Sequence, residues 1–197
     1  NRTARWPEQL LFPGIVVSCR VRLARNLVGE PFPGHASAAD LERIRETLCT
    51  QLRGLRALRG GTELRIETAS AAQLQKLREE HLLSVELSER ETGAALLLSE
   101  DRSLAVMVNE EDHLRIQVLR DDADLKTAWR LAEKTDCAIE SRIEYAFHPT
   151  YGYLTACPSN VGTGLRVSIM LHLLGLRLTE EIEQVFRGLD QLGLAVR

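Results

Sequence analysis

Three short stretches of the chain alternate strictly between apolar and polar residues, and each carries arginine on its polar side. Alternation with a period of two is typical of a β-strand that packs one face and leaves the other face open. The polar positions are Ser18, Arg20 and Arg22 in the first stretch, His113, Arg115 and Gln117 in the second, and Arg166, Ser168 and His172 in the third. If the three strands share one sheet, the four arginines line one surface.

Four guanidinium groups on one surface repel one another unless an anion lies among them. Guanidinium groups match phosphate oxygens in bidentate geometry, so a polyphosphate is the expected anion. The chain as a whole is not basic, because 25 Lys and Arg residues against 28 Asp and Glu residues give a net charge of −3. A general nucleic-acid surface usually shows a basic excess, so we expect no nucleic-acid partner and only a local concentration of positive charge.

The bulk composition indicates a water-soluble globular protein of 197 residues, 44% of them hydrophobic. No apolar run approaches the roughly 18 residues that a membrane span needs, so no membrane partner is expected. The four cysteines, Cys19, Cys49, Cys137 and Cys157, form no CxxC pair, which argues against a zinc site. With no secretory segment at the start, reduced thiols in the cytoplasm are expected.

Capping residues and apolar spacing predict four helices. The predicted helices run from Ser37 to about Leu58, from Ser70 to near His81, from Asp124 to about Glu144, and onward from Thr179. Strands are predicted at 62–68, 94–98 and 104–108, with a hairpin turn at 100–103 and a last strand beginning at 193–197.

Strands and helices mix without a strict βαβ order, which favours an α+β fold with a largely antiparallel sheet backed by helices. Residues 1–14 show no period and are interpreted as an irregular lead-in. Residues 15–197 are interpreted as one domain.

The run from Asn109 to Arg115 is the densest candidate for chemistry. Glu110, Glu111 and Asp112 come directly before the strand that carries Arg115. Carboxylates beside a phosphate site can hold a cationic acceptor, position metal ions and take a proton from a guanidinium group. The alternative is a solvated acidic turn.

A second candidate is the loop of small residues from Cys157 to Gly164. Its two glycines around Thr163 allow backbone N–H groups to face an anion. Cationic strands nearby would favour the thiolate of Cys157, whereas the alternative is a small buried hydrophobic residue. His81, taken alone, is an ordinary histidine at a helix end.

Together these segments resemble the phosphagen kinase (ATP:guanido phosphotransferase) family. Residues 17–26 resemble its S-x-R-x-R strand, residues 109–117 its NEEDHLRI segment, and residues 157–166 its CPTNxGTGLR loop and strand. Residues 81–84, 98–101 and 152–155 are similar to the bacterial branch whose acceptor is an arginine side chain of a protein. The resemblance implies a glutamine-synthetase-like catalytic fold and transfer of the γ-phosphoryl group of ATP, with Mg²⁺, to a guanidinium nitrogen.

The resemblance also implies roles for individual residues. Glu111 matches the catalytic carboxylate that orients and deprotonates the acceptor, and Cys157 matches the cysteine beside the acceptor. The implied ATP-binding residues are Ser18, Cys19, Arg20, Val21, Arg22, His81, Arg115, Arg166, Val167, Ser168, Ile169 and Met170. The implied partners are proteins that bear arginine, and a homodimer of the longer protein.

The family sequence continues past Arg197 into an R-G-x-x-G-E-x-x-E type of loop with a second carboxylate. We therefore expect a catalytic domain that is incomplete at its C-terminus. Two alternatives stay open: a kinase for free arginine or another small guanidine, and a truncated, non-catalytic nucleotide-binding module.

Overall fold

The computed structural model describes residues 15–196, and the predicted lead-in at 1–14 lies outside the described residues. The strands are β1 (Val16–Arg25), β2 (Thr62–Arg65), β3 (Ala95–Leu98), β4 (Leu104–Val108), β5 (Leu114–Arg120), β6 (Phe147–His148), β7 (Gly152–Tyr153) and β8 (Leu165–Leu171). The helices are α1 (Ala38–Arg53), α2 (Ala71–Glu79), α3 (Val85–Ser88), α4 (Leu125–Glu140), α5 (Leu174–Leu178) and α6 (Ile182–Gln191).

Six strands form one sheet in the order β2-β3-β4-β5-β1-β8, and every neighbouring pair is antiparallel. The strands β6 and β7 form a separate hairpin. The predicted α+β class with an antiparallel sheet is therefore confirmed, and the three arginine-bearing stretches become the adjacent strands β5, β1 and β8.

Helix α1 shows how local sequence builds the layer that supports the sheet. The Ser37 hydroxyl accepts a hydrogen bond from the Asp40 N–H at 3.2 Å, and the Asp40 carboxylate accepts one from the Ser37 N–H at 3.2 Å. This capping box satisfies two backbone donors at the start of the helix. The apolar residues Leu41, Ile44, Leu48 and Leu52 then recur every three or four positions and are buried.

The main core lies between one face of the sheet and helices α1 and α4. Its buried side chains include Val21 and Leu23 from β1, Ile116 from β5, Leu48 from α1 and Ala132 from α4. Since side chains alternate along a strand, the odd-numbered positions of β1 supply this core and its even-numbered positions face the other way.

The second face of the sheet is divided. Over β2, β3 and β4 it is covered by a smaller apolar cluster that includes Leu77 of α2, Leu87 of α3 and Met107 of β4. Over β5, β1 and β8 the same face carries the arginines. Helices α2 and α3 therefore form a wall beside the arginine-bearing part of the sheet.

Several predicted elements differ from the structure. The helix that begins after Ser37 ends at Arg53, because a separate 3₁₀ turn covers 56–58. Thr179 ends the short helix α5 and does not begin the last helix, whose N-cap is Glu181. The strand predicted from residue 193 is wrong for residues 193–196, which form a turn followed by irregular backbone. In the part of the chain from 15 to 196, no helix has the length and apolar character needed to cross a bilayer.

Candidate active site

The strand register brings the four predicted arginines to one face of the sheet. Arg22 lies directly opposite Arg166 of β8, and Arg115 lies opposite Ala24, two positions along β1 from Arg22. Arg20 lies opposite Ser168, and its Nε donates to the Ser168 hydroxyl at 3.4 Å. We call this surface, made by Arg20, Arg22, Arg115 and Arg166, the arginine face.

The arginine face carries excess positive charge. Among residues 15–196, no carboxylate lies within 4.0 Å of the guanidinium groups of Arg20, Arg22 or Arg166. Burial, and then the charges of Arg20, Arg115 and Arg166, lower the pKa of Arg22 to about 10. Burial and the charges of Arg166 and Arg115 lower the pKa of Arg20 as well. Mutual repulsion in a half-buried place is relieved when an anion binds among the charges.

The acidic run beside the arginine face is not a solvated turn, so that alternative is wrong. Glu110 is buried and forms an ion pair with Arg115. Burial raises the pKa of Glu110, and the charge of Arg115 opposes that rise. The Glu111 side chain is 42% exposed and places its Oε2 3.7 Å from Nη2 of Arg115. The sequence argument singled out Glu111 and missed the role of Glu110 as the close partner of Arg115.

Asp112 joins the acidic run to the loop that carries Cys157. Its buried Oδ1 accepts hydrogen bonds from Asn26 Nδ2 at 2.5 Å and from the Ala156 N–H at 2.6 Å. The Asn26 side chain in turn accepts the His113 N–H at 2.9 Å and donates to the Leu154 carbonyl at 3.1 Å. The end of β1, the acidic run and the loop are thus held at fixed separations by paired buried polar groups.

His113 does not belong to the open polar face on which the sequence pattern placed it. The imidazole is fully buried, and His113 lies just before the first residue of β5, Leu114. Its Nδ1 accepts the Leu27 N–H at 3.0 Å, so Nε2 carries the proton and donates to the Pro31 carbonyl at 2.9 Å. His113 therefore fixes the position of residues 27–31, which follow β1.

Cys157 is half-buried, with its Sγ 3.0 Å from the Ser159 hydroxyl, so the alternative of a buried hydrophobic residue is wrong. The loop is predicted to let backbone N–H groups face an anion, and the N–H groups of its two glycines are not among those that do so. Gly162 donates to the Tyr153 carbonyl at 3.2 Å, and Gly164 donates to the Asn160 carbonyl at 3.0 Å. These amides are used inside the protein and are not available to a ligand.

His81 is exposed and lies just past the end of α2 in the left-handed conformation, with φ of 58°. The hydrogen bonds His81 N–H to Arg78 carbonyl and Leu82 N–H to Leu77 carbonyl, both 3.0 Å, form the Schellman motif that ends many helices. The His81 carbonyl accepts from Gln117 Nε2 at 2.8 Å, which ties this helix end to β5.

A cleft of about 660 Å³ lies beside that helix end. Glu80 and Leu82, on either side of His81, line it together with Leu119, and the rest of its lining is polar: Asp101, Arg102, Ser103, Arg120, Asp121 and Asp122. Leu119 lies opposite Arg20 in the register of β1 and β5, so the cleft adjoins the arginine face.

Not all of the predicted ATP-binding residues point their side chains to the arginine face. Ser18, Ser168 and Met170 share the face of Arg20, as the register with β8 shows. Cys19, Val21, Val167 and Ile169 alternate with them and lie on the opposite face. The side chains of Cys19 and Val21 are fully buried in the main core. A nucleotide on the arginine face could therefore contact only the strand backbone at these two positions.

Comparison with known proteins agrees with this geometry. The sequence profile described as "ATP:guanido phosphotransferase, C-terminal catalytic domain" matches residues 43–197. The chain belongs to the ATP:guanido phosphotransferase family. The suspected resemblance is thereby confirmed.

Curated relatives within the family include two bacterial proteins named protein-arginine kinase. The protein from Symbiobacterium thermophilum is 46% identical over 188 residues, which is 93% of this chain and 53% of that protein. The protein from Brevibacillus brevis is 42% identical over 186 residues, which is 93% of this chain and 52% of that protein. The chain thus spans about half the length of the curated relatives that it matches.

Solved structures of the family share the fold. The duplicated taurocyamine kinase from Schistosoma mansoni, with bound transition state analog components, superposes with a TM-score of 0.80 at 26% identity, over 92% of this chain and 27% of that one. Lombricine kinase superposes with a TM-score of 0.76 at 25% identity, over 89% of this chain and 52% of that one.

Proposed function

We propose that this chain is part of an enzyme that transfers the γ-phosphoryl group of ATP to the guanidinium group of arginine residues in proteins. The observation that carries the proposal is the arginine face, with Glu111 at its edge and the Cys157 loop tied to the same acidic run. The relatives named protein-arginine kinase, at 46% and 42% identity, support a protein arginine as the acceptor. Residues 15–197 are proposed to act as one catalytic domain, since β1 lies between β5 and β8.

The arginine face is proposed to bind the triphosphate. Phosphoryl transfer depends on alignment and on neutralising charge, and little covalent chemistry is left for the protein. Arginines that are fixed on a sheet supply positive charge with little reorganisation during the reaction. His81 is proposed to lie beside the adenine or ribose, since the end of α2 that carries it is tied to β5, the strand that carries Arg115.

Glu111 is proposed to act on the acceptor. A guanidinium nitrogen attacks the γ-phosphorus while the bond from that phosphorus to the ADP oxygen breaks, and the proton lost by the nitrogen passes to the Glu111 carboxylate. Glu110 already pairs closely with Arg115, which leaves the more exposed Glu111 for an incoming guanidinium. Cys157 is proposed to lie beside the acceptor, at the start of the loop that Asp112 holds.

Magnesium is proposed to arrive with the substrate as Mg²⁺-ATP. Within residues 15–196, no three His, Cys, Asp or Glu side chains come together in a group that could hold a metal ion. Mg²⁺ commonly keeps several waters and binds substrate phosphates, so we assign it to the nucleotide. A cytoplasmic location belongs to the same proposal, because ATP and reduced thiols are found there.

The first experiment replaces Glu111 in the full-length protein that the gene encodes. We expect Glu111→Gln to lower phosphoarginine formation on a denatured arginine-rich protein by about 100-fold or more, the range of general-base catalysis. Affinity for ATP should change by less than about threefold, because Glu111 does not contact the triphosphate in the proposed mechanism. Glu133→Gln, at an exposed carboxylate on α4, is the matched control and should keep full activity.

The same assay separates the candidate functions when free arginine is offered beside the protein substrate. Transfer to free arginine alone would favour the second candidate, a kinase for a small guanidine. The observation behind this candidate is the fold shared with taurocyamine kinase and lombricine kinase. Binding of ATP with no transfer to either acceptor would favour a non-catalytic nucleotide-binding module. Unchanged activity in Glu111→Gln would reject the role of that carboxylate.

A further inference from the structure

Arg25 is another arginine of the same strands, and it does not belong to the arginine face. It is the last residue of β1, at an odd-numbered position, and its side chain points toward α4. Only 3% of the residue is exposed. A buried arginine beside a phosphate-binding surface, but turned away from it, needs a different explanation.

The Arg25 guanidinium is bound on every side. Its Nε and Nη2 donate to the two carboxylate oxygens of Asp136 on α4, at 3.1 and 2.7 Å. Its Nη1 donates to the carbonyls of Ala24 at 2.8 Å and Thr163 at 3.0 Å. Its central carbon lies 3.7 Å from the centre of the Tyr153 ring, within cation–π range. Through Thr163 and Tyr153, Arg25 therefore contacts both ends of the chain segment that contains Cys157.

Close packing explains Gly164 at the end of the loop and Gly152 across from it. Gly164 has φ of 60°, and a Cβ on it would lie 2.6 Å from Arg25 Nη1 and 2.5 Å from the Ala24 carbonyl. Across the loop, a Cβ on Gly152 would lie 2.4 Å from the Gly162 carbonyl. Both glycines permit close backbone approach, and at Gly164 the groups approached are the Ala24 carbonyl and the Arg25 guanidinium.

We propose that Arg25, held by Asp136 and stacked on Tyr153, is a positioning residue that sets the loop from Cys157 to Gly164 against the end of β1. The kinetic part of this inference rests on the proposed function, whereas the placement of the loop does not. Arg166 is held independently, because it pairs with Arg22 in the β1–β8 register. Loss of the Arg25 contacts should therefore disturb the acceptor side of the site and leave nucleotide binding largely intact.

The test replaces Arg25 by Lys, which keeps the buried charge but removes the planar fork. The first readout is the rate at which iodoacetamide alkylates Cys157 in the native protein without nucleotide, followed by peptide mass spectrometry. We expect that rate to change by about fivefold or more, since thiol reactivity follows its local surroundings. The exposed Cys137 on α4 is the internal reference and should stay within about twofold.

The second readout is kinetic and uses the protein as its gene encodes it. We expect kcat for protein arginine phosphorylation to fall about 10-fold or more, because a misplacement of about 1 Å can cost about 100-fold. The dissociation constant for ATP should stay within about threefold. A purely structural role would lower the unfolding temperature without this split between kcat and ATP binding.

Arg53→Lys is the matched control, since Arg53 makes a similar two-point pair with Glu63, both contacts 2.6 Å, but is exposed and far along the chain from the loop. If Arg25→Lys does not fold, Tyr153→Leu removes the stacking partner and serves the same test.

Unchanged Cys157 alkylation and kcat in a folded variant would overturn the inference. A wild-type protein with no kinase activity would reject the proposed function, while the alkylation readout would still decide the placement of the loop.

Discussion

At the residue scale, consecutive residues of the acidic run do different work. Glu110 pairs with Arg115, Glu111 keeps an exposed carboxylate, Asp112 holds the Cys157 loop, and His113 braces the chain after β1. Three of these four side chains are buried, and buried polar groups must be paired to be tolerated. The run is therefore as much a structural junction as a source of carboxylates.

His113 gives a prediction about acid stability. Burial lowers its pKa below the ordinary value of 6.5, partly opposed by the hydrogen bond to Pro31 and by the charges of Glu30 and Asp112. In the unfolded chain His113 is protonated as the pH falls below about 6.5, whereas in the folded protein it stays neutral until the pH reaches its lower folded pKa. The free energy of unfolding therefore decreases between these two pH values as the pH falls. The slope should reach at most about 1.4 kcal/mol per pH unit.

Urea unfolding of wild type and His113→Asn at pH 7.5, 6.5 and 5.5 measures this contribution. The asparagine side chain can still accept the Leu27 N–H but does not titrate. The stability advantage of wild type should shrink from pH 6.5 to 5.5. Because burial raises the pKa of Glu110 and of Asp136, those groups change stability in the opposite direction, but equally in both proteins. Parallel curves for the two proteins would contradict the prediction.

At the scale of elements, β1 organises the site because it is an interior strand with two different faces. Its even positions carry arginines and its odd positions carry Val21 and Leu23 into the main core. The packing of one face against α4 thus holds the other face in place. The end of α2 makes the second contribution, since the His81 carbonyl after its Schellman motif accepts a hydrogen bond from Gln117 of β5.

His81 gives a prediction that separates backbone geometry from side-chain chemistry. His81→Gly and His81→Ala both remove the imidazole, so both should weaken ATP binding by about 3- to 10-fold if the ring packs on the nucleotide. Only glycine suits the left-handed backbone, so His81→Gly should be about 1 kcal/mol more stable than His81→Ala. Isothermal titration and urea unfolding measure the two effects.

Glu180 is the matched position for that experiment, because it is exposed and has φ of 61° in the connection between α5 and α6. Its Gly and Ala variants should show the same order of stability with unchanged ATP affinity. Loss of ATP affinity in His81→Ala but not in His81→Gly would refute a role for the imidazole.

At the scale of the whole molecule, a net charge of −3 coexists with a concentrated positive surface. The acidic residues are spread over the protein, whereas three of the four arginines of the arginine face have no carboxylate partner among residues 15–196. Such a local field attracts a polyanion despite the sign of the total charge.

The expected consequence is stabilisation by a polyphosphate. Tripolyphosphate, the triphosphate without a nucleoside, should raise the free energy of unfolding by about 2.7 kcal/mol at 100 times its dissociation constant. The effect should weaken when NaCl is raised from about 0.1 to 0.5 M, since salt screens exposed charge. Thermal unfolding with and without the ligand measures it, and Arg22→Gln should remove most of it.

The control for that measurement is Arg59→Gln, at an exposed arginine outside the strands, which should respond to tripolyphosphate as wild type does. Equal stabilisation of the Arg22 and Arg59 variants would show that the ligand binds by general charge and not at the arginine face.

Much of the architecture follows from local patterns. Alternation in three stretches was sufficient to predict that four arginines share a surface, because side-chain direction in a strand has a period of two. Ser37 and Asp124 cap helices as expected, with hydrogen bonds to the N–H groups of Asp40 and Thr127. The prediction at Thr179 failed because threonine was taken as the N-cap of a following helix, whereas it is the C-cap of the preceding helix α5.

What the sequence alone determined is therefore the local part: the strands, the capped helices, the arginine face and, through three motifs, the family. Only the tertiary structure decided that His113 is buried and hydrogen-bonded to the chain after β1, and that the amides of Gly162 and Gly164 are already paired. It also decided that Arg25 points away from the other arginines and donates hydrogen bonds to Asp136 and Thr163. The hydrogen-bond partners of His113 and Arg25 that decide these two cases lie 82 to 138 positions away in the chain, whereas the amides of Gly162 and Gly164 bond to Tyr153 and Asn160, which are near in sequence. Period and propensity report a residue's neighbours along the backbone, whereas burial and hydrogen-bond partners are set by which distant segments the folded sheet brings into contact.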